Sequence, residues 1–201
     1  MSWARGFKKA RQHLDWMIGN RNEGEYMPNW CEGVLKIRGT KPKIAKYLQE
    51  NLTAVDWWCN EYKTNVEYNE DGLTVSISDE ITVEKKPLEE LAVKPKPTDL
   101  YIRGTRRAFI EDNQINIELW TDDDDQEIVV TLENFKQAWG IRAENFVEGA
   151  KAAGVDLHIF GFEMGMQFTQ EVEIIDGEIT INEETTYNDY AWEVPFEHLG
   201  G

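Results

Sequence analysis

Two hydrophobic periods alternate along this chain. Between Trp30 and Arg38 the period is two. Cys31, Gly33, Leu35 and Ile37 fall on one side, with Glu32, Val34, Lys36 and Arg38 on the other, as expected of a strand with one buried face. The period then lengthens. Ile44, Ala45, Tyr47, Leu48 and Leu52 recur at helical spacing, after Gly39 for a turn, Thr40 as N-cap and Pro42 in the first helical turn. Residues 27–44 thus predict a strand, a turn and a helix start. A shorter echo follows at Leu100-Tyr101-Ile102-Arg103-Gly104-Thr105. It predicts a second strand, the same turn and a short helix through Ala108, Phe109 and Ile110.

Ahead of this, residues 2–19 carry Trp3, Phe7, Ala10, Leu14, Met17 and Ile18 on one helical face, and residues 20–25 form a polar linker. Asn65–Tyr68 and Leu73–Ser78 flank a hairpin turn, and Ile115, Ile117 and Leu119 alternate as a strand. Residues 84–98 hold Pro87, Pro95 and Pro97, the strongest linker signal and a possible subdivision. Ile128–Leu132 opens a strand, Arg142–Ala153 reads as a helix ended by Gly154, and Leu157–Phe162 reads as a strand. Asp176-Gly177 marks a hairpin. An aromatic tail, Tyr187 to Phe196, is expected to fold back on the body. Strands interleaved with helices predict an α+β class. The repeated opening predicts a ferredoxin-like domain over 27–201, a largely antiparallel sheet with helices packed on one face, built from two β-α-type units. Residues 1–26 would be an added amphipathic helix and linker.

Charge changes this picture more than composition does. The net charge is -17, unevenly divided. Residues 1–107 hold 18 Lys and Arg against 16 Asp and Glu, a net of +2, and residues 108–201 hold 3 against 22, a net of -19. An acidic second half is unsuited to nucleic acid phosphates and suited to a basic partner or simply to solubility. No apolar run is long enough to span a bilayer, and none follows the basic residues near the start, so no membrane and no secretory leader are expected. Cys31 and Cys59 have no metal-site spacing and are expected as free thiols in a cytoplasm.

Met27-Pro28-Asn29-Trp30-Cys31, followed by Leu35, Ile37 and Gly39, resembles the opening of a family of small phage and prophage proteins of unknown function. Ile102-Arg103-Gly104-Thr105, Ala138-Trp139-Gly140 and Tyr190-Ala191-Trp192 look like stretches of the same relatives. The resemblance spans 27–201. It implies a ferredoxin-like fold, a phage or mobile-element origin and a role in the cytoplasm of an infected bacterium. It carries over no catalytic residue.

Two sets of residues compete for function. Asp122, Asp123, Asp124, Asp125, Glu171, Glu173, Glu183 and Glu184 are the candidate acidic surface for a host protein with a basic face, such as a nucleic-acid-binding or defence factor blocked by charge mimicry. The alternative is a nucleotide- or RNA-binding module using the two Arg-Gly-Thr turns, where helix N-termini and Arg38, Lys41, Lys43, Arg103, Arg106 and Arg107 would hold anions. One glycine per turn is far from a phosphate-binding loop. A phage accessory protein with an unspecified partner is the plain reading. Asp122, Asp124 and Glu133 match three calcium-loop positions, but Glu127 replaces the required glycine. His13, His158 and His198 have no nucleophile at a telling spacing. A non-enzyme without metal or cofactor is therefore expected. The tryptophans are expected mainly in the core, with an exposed subset marking a partner surface.

Overall fold

A computed structural model describes residues 29–56, 59–69, 72–85, 96–118 and 123–201. The expected helix at 2–19, residues 86–95 of the proline stretch, Asp122, His13, Trp57, Trp58 and Trp120 lie outside the described residues. The strands are β1 (Trp30–Thr40), β2 (Leu52–Val55), β3 (Glu61–Asn69), β4 (Gly72–Val83), β5 (Asp99–Ile102) and β6 (Ala108–Ile110). They continue as β7 (Gln114–Glu118), β8 (Glu127–Ala138), β9 (Asp156–Glu163), β10 (Phe168–Ile175) and β11 (Glu178–Thr186). The helices are α1 (Lys41–Asn51), α2 (Glu144–Ala153) and the single turn α3 (Tyr190–Glu193).

All eleven strands join one sheet in the order β11-β10-β9-β1-β8-β6-β5-β2-β3-β4-β7, and every neighbouring pair is antiparallel. This corrects the ferredoxin-like α+β expectation: among the described residues strand dominates, in one large antiparallel sheet with only three helices. Two physical reasons account for the difference. After Gly104-Thr105 the chain alternates, with Ala108 and Ile110 buried and Phe109 on the other face. A two-residue period makes a strand, so β6 forms where a helix was expected and pairs with β5 and β8. The middle of the chain, which reads as hairpin and loops, extends the same sheet through β2, β3, β4 and β7.

The helix starts where the sequence predicts, but Gly39 continues β1 opposite Ile128 instead of turning, and the Thr40 side chain makes no cap hydrogen bond. Thr40 sits in extended backbone ahead of α1, with a proline in its first positions. Helix α2 ends on Gly154 in the left-handed region, whose N–H reaches the Ala150 carbonyl at 2.8 Å. One pleat face of β1 (Leu35, Ile37), β8 (Val130, Leu132, Phe135), β9 (Leu157, Ile159) and β10 (Val172, Ile174) shares a core with Ile44, Tyr47 and Leu48 of α1 and Phe146, Ala150 and Ala153 of α2. The opposite face is set by register. One row across it runs Phe162, Glu32, Lys136, Phe109, Tyr101, Thr53 over six strands. At its β9 end Phe162 joins Tyr190 and Val194 of the folded-back tail in a second, smaller core.

Candidate functional site

The basic residues of the first turn are consumed by the fold. Arg38 donates to Asp156 through Nε at 3.0 Å and Nη2 at 2.6 Å, and that carboxylate raises the Arg38 pKa. Lys41 is only 2% exposed, and its Nζ lies 3.8 Å from Asp124 Oδ1. The Tyr68 hydroxyl donates to the same carboxylate. Lys46 Nζ donates to the Ala152 carbonyl at 2.7 Å, with Lys43 packed against Gly154, so both cations sit at the C-terminus of α2, where the helix dipole favours them. Lys41 of the first basic turn and Asp124 of the predicted aspartate loop are thus brought together. Asp123 accepts the Asp125 N–H at 2.9 Å, closing the turn ahead of β8. Arg103 is also structural, with Nη1 donating to the Glu50 carbonyl at 3.2 Å at the end of α1.

The predicted glutamates lie together on the outer hairpin. Glu171 of β10 stands directly opposite Glu183 of β11, and Gln170 stands opposite Glu184. Glu171 Oε1 is 2.8 Å from His158 Nε2, and Glu173 accepts the Thr180 hydroxyl at 2.7 Å. β11 is an edge strand with almost every residue exposed. Residues 152–201 contain 11 Asp and Glu and no Lys or Arg. Trp192, between Asp189 and Glu193 in the tail, is 86% exposed.

Of the predicted anion-binding residues, Arg106 and Arg107 lie apart from the first turn, after Thr105. Both lie on an alternating stack of cations and rings. The Arg106 guanidinium is 4.5 Å from the Trp139 ring centroid, Arg107 is 5.5 Å from Trp139 and 5.3 Å from Trp30, and Lys136 Nζ is 4.9 Å from Trp30. Trp30 continues edge-on to Phe109 at 6.1 Å, and Phe109 packs on Tyr101 at 5.6 Å. Lys136 also pairs with Glu111. The stack forms where β1 begins, β8 ends and β6 begins.

The backbone at this corner is unusual and well braced. Arg107 and Trp139 adopt φ of 52° and 59°, and Gly140 follows at 105°, values few side chains accept. Buried Gln137 holds both arms, donating to the Arg106 carbonyl at 3.1 Å and accepting the Arg142 N–H at 3.2 Å. Asn145 accepts the Arg106 N–H at 3.1 Å. Buried Thr105 donates to the Ile102 carbonyl at 2.6 Å and accepts the Ala108 N–H. Burial and then the Arg142 charge lower the Arg106 pKa; burial is also the main cause that lowers Arg107.

Several other chemistry-bearing groups have local structural roles. Burial pushes the Cys31 thiol well above its ordinary pKa, and both cysteines are free thiols. Buried Asp56 accepts from Asn60 and Tyr62 at 2.9–3.0 Å. Buried Glu163 accepts the N–H groups of Gly165 and Met166 in its own turn. Among the described residues, no cluster of His, Cys, Asp and Glu is arranged to hold a metal ion, and no helix is long and apolar enough to cross a membrane. Sequence reasoning missed the stack because its members come from four separate segments. The available signals were the Arg106-Arg107 pair after a turn and Trp139-Gly140 at a strand end. No protein-family model, curated protein or solved structure matches this chain.

Proposed function

We propose that this is a non-catalytic binding protein whose acidic outer hairpin engages a basic surface on another macromolecule. One observation carries the reading: Glu171 faces Glu183 across the exposed hairpin, in a segment with no Lys or Arg to offset them. Like charges directly opposite on a sheet are destabilising, by roughly 0.2–1 kcal/mol. A basic partner would relieve that repulsion on binding. The exposed indole of Trp192 beside Asp189 and Glu193 adds the aromatic anchor that interfaces favour. The resemblance to phage proteins supports a host target in the bacterial cytoplasm, such as a nucleic-acid-binding defence protein occupied by charge mimicry.

The reading is tested by affinity capture from infected bacteria with the native chain and with Glu171→Gln/Glu173→Gln/Glu183→Gln/Glu184→Gln. The native chain retains a protein with a basic surface, released by raised salt as screened ion pairs require. The neutralised chain loses it. Equal retention by both chains defeats the reading.

A further inference from the structure

Exposed apolar side chains gather around the small second core. Met164 and Met166 stand in the turn between β9 and β10, and Trp192 and Phe196 in the folded-back tail. Phe196 meets the core residue Phe162 edge-on at 5.6 Å. Met164 lies beside Gly201, at the end of the tail. The single turn α3 sends Tyr190 inward onto that core and leaves Trp192 outside. Single exposed apolar residues are ordinary, whereas several together mark a surface that something covers. The tail around them carries the exposed carboxylates of Asp189, Glu193 and Glu197, and residues 187–201 hold no Lys or Arg.

The described chain starts at this same place. Asn29 packs against Gly165 of the β9–β10 turn, and Trp30 and Gly201 exchange backbone hydrogen bonds at 3.0 Å in both directions. Residues 20–28 extend at most about 30 Å from there, so residues 2–19 are tethered within reach of the tail. Residues 2–19 lie outside the described residues, and their sequence complements the patch twice over. Trp3, Phe7, Leu14 and Met17 share one helical stripe, bordered on one side by Lys8 and Arg11. Residues 1–14 also contain Arg5 and Lys9, and no Asp or Glu.

We propose that residues 2–19 dock within the same molecule on the patch formed by Met164, Met166, Trp192 and Phe196. The apolar stripe faces inward, and Lys8 and Arg11 meet the carboxylates of Asp189, Glu193 and Glu197. The short connection holds the segment at an effective concentration on the order of millimolar, so modest contacts suffice. The docked segment covers Trp192 and therefore competes with the basic partner at that indole. Only this last consequence rests on the binding reading above; the docking itself does not.

The test is NMR of the full chain with a soluble paramagnetic agent, read at the Met164 and Met166 methyls and the Trp192 indole N–H. In the native chain these groups are expected to be shielded from the agent. Shielding should be lost in Phe7→Ser/Leu14→Ser, which removes the stripe, and in Lys8→Glu/Arg11→Glu, which reverses its border. It should weaken in the native chain as salt is raised. The methyls of Val129, exposed on β8, stay constant throughout and report that both variants remain folded. Absent shielding in the native chain, or unchanged shielding in either variant, overturns the proposal. Shielding that fades on dilution also overturns it and assigns the patch to a second copy. If the shielding behaves as expected while partner capture fails, the binding reading alone is lost.

Discussion

The tripeptide Arg-Gly-Thr occurs twice, at 38–40 and 103–105, and the two copies end differently. After the first the chain becomes α1; after the second it makes a turn and enters β6. Local turn chemistry is shared, so the cause lies downstream. Ile44, Tyr47 and Leu48 present one helical stripe to the core, whereas Ala108 and Ile110 present one pleat face. Charge diverges as well. Arg38 and Lys41 are met by Asp156 and Asp124, while Arg106 and Arg107 are laid on tryptophans. The same three residues yield a neutralised joint in one place and a concentration of positive charge in the other.

The largest effect should come from attacking what makes the first turn helical. Leu48→Ala empties a fully buried position and is expected to lower unfolding free energy by about 2–5 kcal/mol in urea titration. Phe109→Ala after the second turn, where the ring is half-buried, should cost clearly less. Equal losses would mean that burial does not separate the two copies.

Alkaline pH reaches a group behind the second turn. Tyr101 donates to the Thr105 carbonyl at 2.6 Å, and burial pushes its pKa from 10.0 up to about 12. A folded-state value above the unfolded one means full stabilisation below pH 10, lost as pH rises through about 12, at up to about 1.4 kcal/mol per unit. Tyr62 and Tyr190 are also pushed up to about 12, so the informative quantity is the difference between native chain and Tyr101→Phe. The variant should lose less stability over that window.

Smaller changes probe the turns themselves. Gly104 holds φ of 80°, and a would-be Cβ makes only an ordinary contact with the Asn145 carbonyl oxygen at 3.8 Å, so Gly104→Ala should cost about 1–2 kcal/mol from backbone strain alone. Gly104→Asn should cost less, as measured by thermal unfolding. Least of all, Asp156→Asn breaks a half-exposed pair with Arg38 and should cost under about 1 kcal/mol, shrinking further in salt.

Much of the fold was legible where periodicity is strong. β1, α1, α2 and the Asp176-Gly177 hairpin, with φ of 52° and 75° at its turn, all stand where the sequence put them. The ferredoxin-like expectation fails because a repeated turn does not impose a repeated helix. Three apolar residues after Thr105 cannot distinguish a period of two from one of 3.6. The candidate sites were legible as residue types but not as neighbours. Asp124 and Lys41 are far apart in sequence, and only the fold sets one beside the other. Trp30, Arg107, Lys136 and Trp139 meet through strand register, which no local pattern encodes.

The most direct measurement compares the arginine side-chain resonances of the native chain and Trp139→Asn by NMR. The Arg106 and Arg107 signals should move as the indole ring current is removed, while Arg38, held by Asp156, stays in place. A shift of Arg38 matching the others, or no shift at Arg106 and Arg107, would contradict the division of charge between the two turns.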